Sequence, residues 1–125
     1  MFLEIEFLMS DDTRQVAEDH YYQALDLFAD GKHEEAIAEY KQSVEADPSF
    51  TEAMHGLSRA YQELGRLDEA IEISRRISEL DPEDVLAYTS LSILYQRKGM
   101  VPEAEAEANK ARILGWKQQL KESKK

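Results

Sequence analysis

The side chains best able to hold a metal or move a proton near neutral pH are His20, His33 and His55. Each falls on a separate helix or turn of the pattern set out below. None has a companion ligand at helical spacing, so they do not read as a metal site. The chain has no cysteine, which removes thiolate chemistry and any disulfide framework. Its 26 acidic residues read as the solvated faces of amphipathic helices, not as paired acids and bases. No glycine-rich phosphate loop and no nucleophile–base motif occurs. No catalytic residue, metal ligand or cofactor is expected. What remains is non-covalent recognition by aromatic rings, aliphatic side chains and guanidinium groups.

The elements that would carry such a surface show in a repeat. Gly31, Gly65 and Gly99 are 34 residues apart, and so are Ala36, Ala70 and Ala104. Asp47-Pro48 and Asp81-Pro82 keep the same interval, and Ala24, Ser58 and Ser92 form a further series of small residues. In the middle copy, Ala53, Met54, Leu57, Ala60, Tyr61 and Leu64 fall at steps of three and four, which puts them on one helical face. Gly65 can take the left-handed conformation that stops this helix. Leu67, Ala70, Ile71, Ile73 and Ile77 build the return helix. Ser58 and Ala70 lack bulk, so the paired helices can cross closely there. Asp81-Pro82 ends the pair, because the proline ring disfavours helix at the residue before it.

These landmarks resemble the tetratricopeptide repeat, a helix–turn–helix unit of about 34 residues. The resemblance covers roughly residues 13–116 and implies an all-α, helical-hairpin solenoid of three units, six helices and a short C-terminal extension. Three copies are about the minimum for such stacking. The expected division is an apolar segment over residues 1–11, a repeat domain over 12–116, and a basic tail over 117–125. The repeats fall near 17–50, 51–84 and 85–116. Ser10-Asp11-Asp12-Thr13 offers helix caps, so the first helix is expected from about Asp12 to Ala29. The second covers His33 to Ala46. Ser49-Phe50-Thr51-Glu52 has the capping-box pattern for the third. The fifth spans Asp84 to Lys98, and Pro102 suits the first turn of the sixth.

The two ends differ from the middle. Where the middle has Met54 and Leu57, the first copy has His20 and Gln23. Where earlier return helices have Ile37, Tyr40 and Val44, the last has Glu105, Ala108 and Arg112. Polar outer faces are what terminal repeats need, so a complete short array is expected. Residues 1–9 alternate apolar and acidic with a strand-like period. They read as sequence upstream of a start at Met9, as extra turns of the first helix, or as a segment that docks in a groove. Trp116 and Leu120 are four apart and can share the last helix, whereas Lys121 to Lys125 should be frayed and solvated.

By resemblance, the first helix of each pair lines a concave face. That implies Glu18, Tyr21, Leu25, Phe28 and Ala29 in the first repeat. The second adds Glu52, His55, Arg59, Gln62 and Glu63. The third adds Leu86, Thr89, Ile93, Gln96 and Arg97. The peptide-binding candidates among them are Tyr21, Leu25, Phe28, His55, Arg59, Gln62, Leu86, Thr89, Ile93 and Arg97. Either a partner segment occupies the apolar wall of Tyr21, Leu25 and Phe28, or the protein's own first residues cover it. Tyr61 and Tyr95 recur at the place of Leu27 and belong to the core. One subfamily clamps the carboxylate tails of chaperones with lysine, asparagine and arginine. The matching positions here are Tyr21, Leu25, Gly56, Leu86 and Ser90, which supply no such donors, so that function is not expected.

The reading that follows is a non-enzymatic module that binds a protein or peptide segment. The alternative is a self-associating homo-oligomeric subunit with residues 1–9 in its own or a neighbour's groove. The net charge of −11 argues against nucleic acid and anionic membrane as partners. No stretch reaches the roughly 18 apolar residues of a membrane helix. The N-terminus lacks the basic start and cleavage site of a signal peptide, so a cytoplasmic protein is expected.

Overall fold

The computed structural model describes the backbone of residues 2–124 and the side chains of residues 12–124. Six helices follow one another: α1 (Phe2–Ala29), α2 (His33–Ala46), α3 (Thr51–Glu63), α4 (Leu67–Leu80), α5 (Val85–Arg97) and α6 (Val101–Ser123). No strand occurs among the described residues. The fold is all-α, with the six helices in the order of three helix–turn–helix repeats. The chain divides after Gly65 into two compact units, α1–α3 and α4–α6.

The turns form where the sequence places them. Gly31, Gly65 and Gly99 have φ values of 78°, 73° and 77°, which is left-handed backbone. At the other loops, Asp47 and Asp81 are extended at φ −137°, as the following proline requires. Each also folds its carboxylate back: Asp47 Oδ1 accepts from the Ser49 amide and Asp81 Oδ1 from the Glu83 amide, both at 3.0 Å. These are Asx turns that leave the chain aimed into the next helix.

Three boundaries differ from expectation. α1 begins at Phe2 rather than near Asp12, so residues 2–9 are extra turns of the first helix, one of the three readings open to them. Leu, Met and Glu, which fill most of that stretch, are strong helix formers. Ser10, Asp11 and Asp12 cost only tenths of a kcal/mol each in a helix interior, too little to stop it. The capping box at Ser49–Glu52 does not form. Ser49 Oγ instead donates to Asp47 Oδ1 at 2.7 Å, and Phe50 is the N-cap residue without a side-chain bond. Among α2 to α6, the helix that does have a side-chain cap is α5, where Asp84 Oδ1 accepts from the Ala87 amide at 3.3 Å. Finally, α6 is helical through Ser123, so residues 121–123, expected to fray, continue the helix.

In the first unit α1 packs on α2 and α2 on α3. Ala17, Ala24 and Ala36 are fully buried and let the helices approach closely. Ser43, equally buried, is satisfied by donating to the Ala17 carbonyl at 2.6 Å. Tyr40, Phe50, Met54 and Leu57 fill the rest of this core. In the second unit Leu91, Tyr95 and Ala104 form a cluster that Ile71 and Met100 cover. Burying each large apolar side chain contributes roughly 1.5–3 kcal/mol. Tyr61 and Tyr95 are core residues, as their repeat position implies.

Candidate functional site

In the first unit, α1 presents Tyr21, Leu25 and Phe28, and α3 presents His55, Arg59 and Gln62. Tyr21 is half-buried in an aromatic cluster. Its ring centroid lies 5.1 Å from that of Phe50, 6.2 Å from Tyr40 and 5.6 Å from Tyr22. Burial, then the nearby Glu52 and Tyr22, push its hydroxyl pKa up. Arg14 closes the cluster, with its guanidinium 4.1 Å from the Phe50 ring centroid. It is held there by Asp47 Oδ2 at 2.7 Å and Glu18 Oε1 at 3.1 Å. Burial would raise the Asp47 carboxyl, but hydrogen bonds from Ser49 and Arg14 outweigh it and hold the group below its ordinary pKa.

Leu25 is 40% exposed. Phe28 is half-buried, with His33 edge-on to its ring at 4.8 Å. The Arg59 guanidinium carbon stands 6.0 Å from the Phe28 centroid, within reach of a cation–π contact. The first unit thus brings Leu25, Phe28 and Arg59 onto one ledge between α1 and α3. Gln62 is oriented by its own helix, donating to Ser58 Oγ at 3.2 Å. His55 is half-buried. Two positions of the carboxylate clamp serve packing here: Tyr21 belongs to the aromatic cluster, and Gly56 lies under the Tyr40 ring.

In the second unit α5 exposes Leu86 at 55% and Ile93 at 49%. Thr89 is half-buried, and its hydroxyl donates to the Val85 carbonyl at 3.1 Å, a bond within the helix. Arg97 is exposed in the last turn. The side chains of residues 1–9, the alternative occupant of the groove, lie outside the described residues.

His20, read as part of a wet end face, is half-buried and meets Glu39 Oε2 at 2.6 Å through Nδ1. Among the described residues no three His, Cys, Asp or Glu side chains gather where they could hold a metal ion. Nor is any helix among the described residues long and apolar enough to cross a membrane. Sequence reasoning missed a second apolar surface, on the far end of α6, where Ile113, Trp116 and Leu120 are exposed. The signal was the four-residue spacing of Trp116 and Leu120, which placed both on the last helix without marking them as a surface.

A protein-family model described as tetratricopeptide repeat matches residues 27–92. Among curated proteins no match to the chain was found. Several solved structures are similar. The crystal structure of MamA aligns with a TM-score of 0.82 at 25% identity, over 86% of this chain and 62% of that chain. The chain therefore spans less than two thirds of the length of that MamA. The second TPR domain of Spaghetti (RPAP3), bound to the HSP90 peptide SRMEEVD, aligns with a TM-score of 0.78 at 21% identity, over 84% of this chain and 96% of that one. The Yersinia enterocolitica type III secretion chaperone SycD, in complex with a peptide of the translocator YopD, aligns with a TM-score of 0.75 at 24% identity, over 78% and 74%. At these identities the last two show a shared fold.

Proposed function

This chain belongs to the tetratricopeptide-repeat family, and on that premise we propose that it is a non-enzymatic interaction module. It holds a peptide or helical segment of a protein partner against the first helices of its repeats. The observation that carries the reading is the ledge of the first unit, where Arg59 stands over Phe28 beside the exposed Leu25. Aromatic rings and guanidinium groups are the usual anchors of protein interfaces, and Leu25 adds apolar surface beside them. The repeat does not require them: the positions equivalent to Tyr21, Leu25 and Phe28 in α3 are His55, Arg59 and Gln62. Leu86, Thr89, Ile93 and Arg97 offer a second set on α5. Peptide-bound relatives of the same fold, Spaghetti with its HSP90 peptide and SycD with its YopD peptide, support this use of the scaffold. The partner chemistry differs from a chaperone's terminal carboxylate, since Tyr21, Leu25, Gly56, Leu86 and Ser90 offer no cationic donor.

The test is capture of a partner from the native cell with the full chain, followed by affinity measurement with variants. Phe28→Ala and Arg59→Ala should each weaken binding by about 1 kcal/mol or more. Arg59→Ala should leave stability nearly unchanged, since its side chain is exposed. Wild-type affinity in both variants would move recognition to another face.

A further inference from the structure

α6 has 23 residues where α2 and α4 have 14. Its extra turns expose Trp116 and Leu120 at 63% and 45%, next to Ile113 at 49%. With Asn109 and Ser123 these residues fall at alternating steps of four and three, the spacing of a seam along which two helices pack. Directly after seam residues Asn109, Trp116 and Ser123 come Lys110, Lys117 and Lys124, seven apart. One side of the seam is therefore a basic row, with charges roughly 10 Å apart. Six of the chain's 15 basic residues and one of its 26 acidic residues lie in 109–125, a net charge of +5, which leaves −16 on the rest.

α1 carries the complementary pattern. Gln15, Glu18, Tyr22, Leu25 and Ala29 follow the same three–four spacing, with Tyr22 60% and Leu25 40% exposed. Asp12, Asp19 and Asp26 are also seven apart and stand on the same side of their seam as the lysines do of theirs. All three aspartates are exposed.

We infer that the far end of α6 docks antiparallel on α1 of a second copy of this chain. The direction follows from the rows. When two helices meet face to face, rows on the same side of each seam come together if the helices run in opposite directions and fall apart if they run in the same direction. With Trp116 set against the partner copy's Tyr22, Ile113 meets Leu25, and Lys110, Lys117 and Lys124 meet Asp26, Asp19 and Asp12. Arg112, on the other side of the seam, comes beside Phe28. Lys110 reaches Glu107 Oε1 at 3.3 Å within its own helix but keeps 59% of its side chain exposed, so it can turn outward. Leu120 opposite Glu18 is a mismatched layer and limits the affinity. The docking occupies Leu25, so it names one occupant of the first unit's ledge and to that extent rests on the function proposed above.

The test is sedimentation velocity of the full chain over a range of concentrations at low and high salt. Self-association should appear at low salt and weaken at high salt, where exposed charges are screened. The triple variant Lys110→Glu/Lys117→Glu/Lys124→Glu should associate at least tenfold more weakly, and so should Asp12→Lys/Asp19→Lys/Asp26→Lys. Mixed together, the two variants should associate again, because each restores the other's complement. Circular dichroism establishes that both are folded. A wild-type chain that stays monomeric throughout, or folded variants that do not complement, would overturn the inference. Direction is read by disulfide formation, since the chain has no cysteine of its own. Leu25→Cys should cross-link with Ile113→Cys, and Glu18→Cys should not; the reverse would exclude the antiparallel arrangement. The lysine variant leaves α1 and α3 unaltered, so it should still capture a ledge-binding partner. Failure of self-docking and failure of the ledge are thereby separate results.

Discussion

The ring of Tyr40 on α2 lies where a side chain on Gly56 of α3 would begin: a Cβ built on Gly56 overlaps the ring carbons and the hydroxyl. Glycine here is demanded by a neighbour's bulk, in the middle of a helix where its own conformation is ordinary. Gly56→Ala should gain about 1 kcal/mol in helix propensity and lose roughly 1–3 kcal/mol to overpacking, a net destabilisation. In a Tyr40→Ala background the same change should become stabilising. Urea unfolding midpoints of the four proteins decide it; a stabilising Gly56→Ala in the wild-type background would mean the ring is free to move aside.

Gly65 tests the turn rather than the packing. Its φ is 73° and nothing lies within 4 Å of a Cβ built there, so any cost of substitution is backbone strain. Gly65→Val should cost at least about 1–2 kcal/mol. Gly65→Asn should cost less, since asparagine enters the left-handed region more readily. Equal melting temperatures for the two variants would contradict this account.

Ala36 tests the crossing of α1 and α2. It is fully buried, so Ala36→Leu should overpack the interface by roughly 1–3 kcal/mol. Ala38, two residues on, is exposed, and Ala38→Leu should stay within about 0.5 kcal/mol of wild type. Thermal unfolding of both variants checks the register of α2.

Asp47 makes one part of the stability pH-dependent. Its carboxyl has a lowered pKa in the folded chain, burial being outweighed by the hydrogen bonds from Ser49 and Arg14. The folded state thus holds that proton more weakly than the unfolded state does. The contribution is fully present above the unfolded pKa near 3.9 and is lost as pH falls through the lower folded value. Asp47→Asn should be less stable at neutral pH, with the gap closing below about pH 4. A gap that widens on acidification, measured by denaturant unfolding across that range, would reverse the sign.

Much of the fold was legible in the sequence because its signals are local. A glycine needed at positive φ, an alanine needed at a close crossing and a residue forced extended before proline each act on their own backbone. The same demand repeats every 34 residues. The failures came where two local signals compete. Ser49 could cap α3 or bond Asp47, and the Asx turn won because Asp47 is already fixed by the proline that follows it. The start of α1 was expected near Asp12 because Ser10-Asp11-Asp12-Thr13 offers caps, while the helix propensity of the residues before it carries the helix through them.

The sequence by itself determined an all-α chain of three repeats, the positions of its turns and the identity of its core tyrosines, since backbone conformation and helical periodicity follow from neighbouring residues. Only the tertiary structure decided that Arg59 stands over Phe28, 31 positions away, that Tyr21 is absorbed into an aromatic cluster, and that Gly56 makes room for Tyr40. Those relations depend on how α1, α2 and α3 pack. Packing is set by the volumes of many side chains at once, which no spacing along the chain encodes.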